Sequence, residues 1–242
     1  MSHIKNVEAF GKLTGICTGY GGTYNPGNPN LQAQAMSALM NNARQVINEV
    51  HTAKTEYDNA TNTRELMFKN VKRFSTRIIS ALKSSGADKL TIEDAQTSIR
   101  KMVGSRVQSV RVQPAESLTS AEVVKPKTRR ARGMDYASLS NHFAALVKTV
   151  SATPNYCPNE EKLSAAGLNA LWLTLVNLND SVNAATAQLS SARSKRNQLL
   201  YDNHFNLVEV GLQAKQYIRS AFGPTSDQYQ EVRKIRFTKP KS

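Results

Sequence analysis

The chain is short of the residues that usually carry chemistry. It has two cysteines, four histidines and one tryptophan in 242 residues. Cys17 and Cys157 stand far apart with no CxxC spacing, so cysteine supplies no metal signature. His3, His51, His142 and His204 each lack a nearby His, Cys or acidic pair of the kind that builds a zinc or di-iron site. There is no Gly-x-Ser-x-Gly elbow for a hydrolase serine. Gly19-Tyr20-Gly21-Gly22 has no preceding strand and no following Gly-Lys-Ser/Thr, so it fails as a phosphate loop. His204 beside Asp202 reads as a helix-surface histidine. Glu160-Glu161 reads as a pair of acids at a positive helix start. No cofactor, metal or catalytic residue is expected, and the chain is not expected to be an enzyme.

Long apolar runs are missing too. The most apolar stretch, Leu168 to Leu178, is interrupted by Asn169, Thr174 and Asn177. It falls short of the roughly 20 apolar residues that cross a bilayer. Met1 to Asn6 has no apolar core of a secretory signal. The expectation is a cytoplasmic protein with reduced thiols and no membrane span.

What remains is helical patterning. From Leu31 to Ser85 there is neither Gly nor Pro, and apolar or small residues recur every third or fourth position. Ala35, Leu39, Val46, Val50, Ala53 and Tyr57 mark one stripe, continued by Met67, Val71, Phe74, Ile78 and Ala81. A single helix of that length would run to roughly 80 Å, so a turn is expected at Asp58–Thr63, with Asn62 and Glu65 as a capping box. Ahead of it, the Gly- and Pro-rich first 30 residues read as loop around a short helix through Val7, Phe10 and Leu13. Asn30 stands as the N-cap. Gly86 ends the hairpin, and a shorter helix follows from Thr91 to Met102, with Thr91 and Asp94 as its cap.

A second such series starts near Asp135. Leu139, Phe143, Leu146 and Val150 mark a short helix stopped by Pro154. A long helical stretch follows from Leu163, with a turn expected at Ser190-Ser191 and an end at Gly223-Pro224. Tyr24-Asn25-Pro26 leads into the first long stretch and Tyr156-Cys157-Pro158 into the second. Ala38-Leu39, Val50, Ala53 and Arg64 match Ala170-Leu171, Val182, Ala185 and Arg196 at one offset. Ser80-Ala81-Leu82 resembles Ser220-Ala221-Phe222 at another. Val110-Arg111-Val112 and Lys125-Pro126-Lys127 echo Ile235-Arg236-Phe237 and Lys239-Pro240-Lys241.

The expected fold is therefore all-α and internally duplicated, with helical hairpins forming a pseudo-symmetric antiparallel four-helix bundle and short accessory helices. The first repeat spans 1–133, with helices near 31–60, 63–85 and 91–103. The second spans 134–242, with helices near 136–151, 160–190 and 193–222. The two are expected to pack as one domain, with an obligate dimer exchanging hairpins as the alternative.

Ser220-Ala221-Phe222-Gly223-Pro224, the Ser226 to Tyr229 step and the basic Ile235-Arg236-Phe237-Thr238-Lys239-Pro240 tail resemble the ending of uncharacterised bacterial helical-bundle proteins. The resemblance covers roughly the last third of the chain. It implies a helical bundle and brings no activity or catalytic residue. The first repeat departs from it, since Gly86 has no aromatic before it.

Charge is the remaining signal. The formal net charge is +14, from 32 basic and 18 acidic residues. A balance so basic raises the prospect of a polyanionic partner. The cations cluster in two segments: Lys125, Lys127, Arg129, Arg130 and Arg132, then Arg233, Lys234, Arg236, Lys239 and Lys241. These ten are the candidate polyanion-binding residues. Phosphates neutralised by such runs release counterions and bind in a salt-dependent way. The first run has no aromatic for base stacking, which argues against sequence-specific single-strand readout. Two functions are expected: a scaffold that meets a protein partner or itself through helix faces and basic arms, or a sequence-tolerant nucleic-acid binder. A third, less favoured, is an enzyme with an unrecognised site in the bundle core.

Overall fold

The computed structural model describes residues 3–104, 135–202 and 205–238, and every regular element in them is helical. The α-helices are α1 (His3–Gly19), α2 (Ala33–Ser84), α3 (Lys89–Val103), α4 (Tyr136–Ser151), α5 (Ala165–Asn197), α6 (Leu207–Phe222) and α7 (Asp227–Arg233). No helix among the described residues is long and apolar enough to cross a membrane.

The turn expected at Asp58–Thr63 does not form. α2 is continuous through it. Asn and Thr cost at most about 0.7 kcal/mol each in a helix interior, and neither Gly nor Pro stands there to stop the ladder. Lys54 and Asp58, one turn apart, form an ion pair just ahead of it. The expected first hairpin is thus a single helix. The turn expected at Ser190-Ser191 is also absent. α5 runs on to Asn197 and opens into a π-helical turn, Gln198–Asp202. α6 then starts at an Asn206 cap, whose side chain accepts from Glu209 N at 2.8 Å. α3 begins earlier than expected, because Asp88 and not Thr91 is its cap, accepting from Thr91 N at 2.9 Å. Asn30 is not a cap either. Asn28 caps a short 3-10 turn, Pro29–Leu31, and α2 follows it. α1 fills much of what read as loop.

The chain divides into two compact units. Unit one takes residues up to Asn59 and from Ala184 onward, and unit two takes Ala60–Asn183. Unit one's core gathers Phe10, Leu13, Met36, Leu200, Leu207, Ala214 and Ile218, with a small satellite of Ala53, Leu189 and Ala192. Unit two's core gathers Ile78, Leu82, Met102, Phe143, Leu146, Leu168 and Leu175. Each Phe, Leu, Ile or Met among them contributes about 1.5–3 kcal/mol when fully buried.

The same local device recurs in both units. Tyr24 Oη donates to Leu31 O at 2.8 Å, and Tyr156 Oη donates to Leu163 O at 2.7 Å. Each buried tyrosine bends its Pro-containing lead-in back onto the start of a long helix. The preceding short helices bury matching positions, Phe10, Leu13 and Cys17 in α1 against Phe143, Leu146 and Val150 in α4. α3 and α6 also correspond. Each has an Asx N-cap, a buried alanine (Ala95, Ala214), an Ile-Arg pair (Ile99-Arg100, Ile218-Arg219) and a positive-φ glycine at its end (Gly104 φ 78°, Gly223 φ 95°). Glycine pays no Cβ penalty in such a conformation. Ser220-Ala221-Phe222 ends α6, whereas Ser80-Ala81-Leu82 lies near the end of α2.

Candidate interaction surfaces

The C-terminal tail is a docked extended segment in unit one. Asn6 of α1 holds its backbone from both sides, with Nδ2 donating to Thr238 O at 2.7 Å and Oδ1 accepting from Thr238 N at 3.1 Å. Lys215 of α6 donates to Ile235 O at 2.7 Å. Phe237 lies on α6 at Gly211, where an added Cβ would come within 2.6 Å of its ring. The side chains alternate as in a strand. Ile235 and Phe237 pack on the core while Arg236 is exposed. Arg233 and Lys234, at the end of α7, are exposed as well. Of the ten candidate cations, these three are therefore displayed by ordered backbone. Lys125, Lys127, Arg129, Arg130, Arg132, Lys239 and Lys241 lie outside the described residues.

A polar network ties the tail to the π-helical turn. Tyr201 Oη accepts from Asn6 Nδ2 at 3.2 Å and pairs with His3 Nδ1 at 2.9 Å. Asn206 Nδ2 donates to Tyr201 O at 3.0 Å. π-turns often occur at functional sites. Here the inserted residue turns Tyr201 toward α1. Burial first, then the Arg196 guanidinium, holds the His3 imidazole below its usual range, so it is neutral at neutral pH. In unit two, Arg64 stacks on Tyr136, 4.1 Å from the ring centroid, and Tyr136 meets Phe68 edge-on. His204 lies outside the described residues. Trp172 packs half-buried against the unit-two core with its indole N–H unpartnered.

Unit two carries a groove along α2. One part, of about 600 Å³, is lined by Met67, Val71, Phe74 and Leu171 with Glu161 and Lys162 at its edge. Gly167 lets this lead-in lie close, since a Cβ there would collide with the Glu161 carbonyl oxygen. A neighbouring hollow, of about 520 Å³, is lined by Arg77, Ser80, Ser84 and Glu160.

One surface escaped the sequence reading. Lys69, Arg73 and Arg77 of α2 are exposed and sit at i, i+4 and i+8, opposite the buried Phe68, Val71, Ser75, Ile78 and Leu82. The signal was in the chain: charge plotted at helical period shows it at once. It was missed because a linear search favours consecutive cations.

A scan against protein-family models and searches of curated proteins and of solved structures returned no match.

Proposed function

We propose that the chain is a non-enzymatic helical scaffold that engages a partner through helix faces and basic arms. The observation that carries this is the docked tail. A nonpolar-out, polar-in arrangement would hide its charges, but the alternation inserts Ile235 and Phe237 and leaves Arg233, Lys234 and Arg236 outside. The polar residues nearest to a catalytic constellation, His3, Asn6 and Tyr201, spend their hydrogen bonds on one another and on the tail. Their arrangement supports positioning over proton transfer.

The architecture we infer is a duplicated unit whose copies have exchanged parts. Each compact unit joins the short helix and tyrosine-tied lead-in of one copy to the Asx-capped, Gly-ended helix of the other: α1 with α6, and α4 with α3. The first and last quarters of the chain are thereby built together.

The test is a pull-down of the full chain from its host, with and without nuclease, beside a Arg233→Gln, Lys234→Gln, Arg236→Gln variant. A discrete, nuclease-resistant partner set that the variant loses is expected. An unchanged partner set would rule out the tail as the engaging arm. The second reading, sequence-tolerant nucleic-acid binding, is favoured by the same exposed cations and the net charge of +14. It requires a mobility shift at low salt that fades as salt rises.

A further inference from the structure

We infer that the outward face of α2 between Leu66 and Ser84 is a docking surface for the phosphate backbone of duplex nucleic acid. The inference rests on the second reading for its ligand class and places the contact at a site separate from the tail.

The face is cationic beyond what solvation needs. Between Leu66 and Ser84 stand Lys69, Lys72, Arg73, Arg77 and Lys83 and no acid. Lys69, Arg73 and Arg77 point the same way, each about 6 Å further along the axis than the last. Like charges at this spacing repel within a helix, so the pattern works against the helix that bears it. The other long helix shows no such pattern: from Ala165 to Ala192, α5 has no Lys or Arg at all.

The chain does little to neutralise the stripe. Among the described residues none of the three cations forms an ion pair. Arg77 rests over the Phe74 ring, 5.4 Å from its centroid, which holds the guanidinium along the surface. Glu160 lines the hollow beside Arg77, and Glu161 and Lys162 edge the next one. The sequence from 105 to 134 adds seven basic residues and two acidic ones, so its charge has the same sign.

The rest of the face fits a phosphate backbone better than a protein. Asn70, Thr76, Ser80 and Ser84 are exposed along it, and Leu66 is its one large exposed hydrophobic. Arg, Lys, Ser, Thr and Asn are the residues that contact phosphates and sugars. The stripe has no Trp or Tyr to anchor a protein hot spot, and no outward aromatic platform on which single-stranded bases would stack.

The test is fluorescence anisotropy of the full chain with a labelled 30-base-pair duplex across a salt series. It compares wild type, a Lys69→Gln, Arg73→Gln, Arg77→Gln variant, and the tail variant described above. Each phosphate contact adds about 0.9 to the slope of log affinity against log salt. The α2 variant is therefore expected to lower that slope by about 2 to 3 with unchanged helical circular dichroism. A charge-retaining variant, Lys69→Arg, Arg73→Lys, Arg77→Lys, should keep it. Duplex binding that survives in the α2 variant and is lost in the tail variant would overturn this inference and leave the second reading standing. No duplex binding by wild type at low salt would overturn both. Displacement of the labelled duplex by polyglutamate at a lower charge concentration than by unlabelled duplex would also overturn it, in favour of an acidic protein.

Discussion

Beside α6 in unit one runs a stretch of extended chain, gripped by Asn6 and Lys215 and seated on Gly211. In unit two the corresponding helix, α3, packs directly on α4. The residues that correspond to Asn6, Gly211 and Lys215 are Leu139, Ile92 and Gln96. Where unit one has an amide that pairs with backbone, unit two has an aliphatic side chain, and where unit one has a glycine that gives room to a ring, unit two has isoleucine. The two units share the tyrosine-tied turn, and among the described residues the grip on an extended segment is seen in unit one. The side chains that face such a segment, and not the turn, decide what can be attached.

The comparison can be tested hardest at the shared cores. Phe10 and Phe143 are both fully buried at matching positions. Replacing either by alanine should cost about 3–5 kcal/mol, read by urea denaturation. Hydrogen exchange should show the loss confined to α1 and α6 in one case and to α3 and α4 in the other. Loss of protection across both sets from a single substitution would show that the units unfold together. A smaller effect is expected from Gly211→Ala, which pushes a methyl into the Phe237 ring. Overpacking of this kind costs about 1–3 kcal/mol. Tryptic cleavage after Arg233 and Arg236 should accelerate, whereas Ile92→Ala in unit two should leave tail cleavage unchanged.

The mildest contrast is with alkali. Burial pushes the Cys17 thiol up to about 11, and burial followed by Glu231 pushes the Tyr20 hydroxyl up to about 12. Burial raises Tyr24 further, whereas in unit two burial raises Tyr156. A raised folded pKa means that the unfolded chain loses its proton first. The stability linked to Cys17 is thus present below its ordinary value of 9.0 and lost as pH climbs toward 11. Unit one, with three such groups, should lose exchange protection before unit two. Over the same range the exposed Cys157 should react with a thiol reagent well before the buried Cys17. Equal rates would contradict that burial.

Much of the helical plan was legible. α4 lies at 136–151 as the stripe of Leu139, Phe143, Leu146 and Val150 required, and Gly86 and Gly223 end helices as their φ freedom allows. The missed features are those where no strong breaker marks the backbone. Asn and Thr at 59–63 weaken a helix too little to stop it, so α2 kept going. The chain reverses after α5 through a π-turn and an asparagine cap, which leave no Gly or Pro to read. Of the candidate cations, the tail's basic character was plain in the sequence. Its docking was not, because it depends on Asn6, over 230 residues away in the chain.

The tyrosine ties have a consequence for where this chain can change length. Both span seven residues, Tyr24 to Leu31 and Tyr156 to Leu163. From Phe10 to Tyr24 the chain takes one residue more than from Phe143 to Tyr156. Inside the tie, an added residue would bulge the lead-in and lengthen the reach from the tyrosine hydroxyl to the carbonyl that it holds, now 2.8 and 2.7 Å. Outside it, the same addition is absorbed. The segment just before each tyrosine is thus the natural place for an inserted tag or loop, and the seven residues after it are the worst.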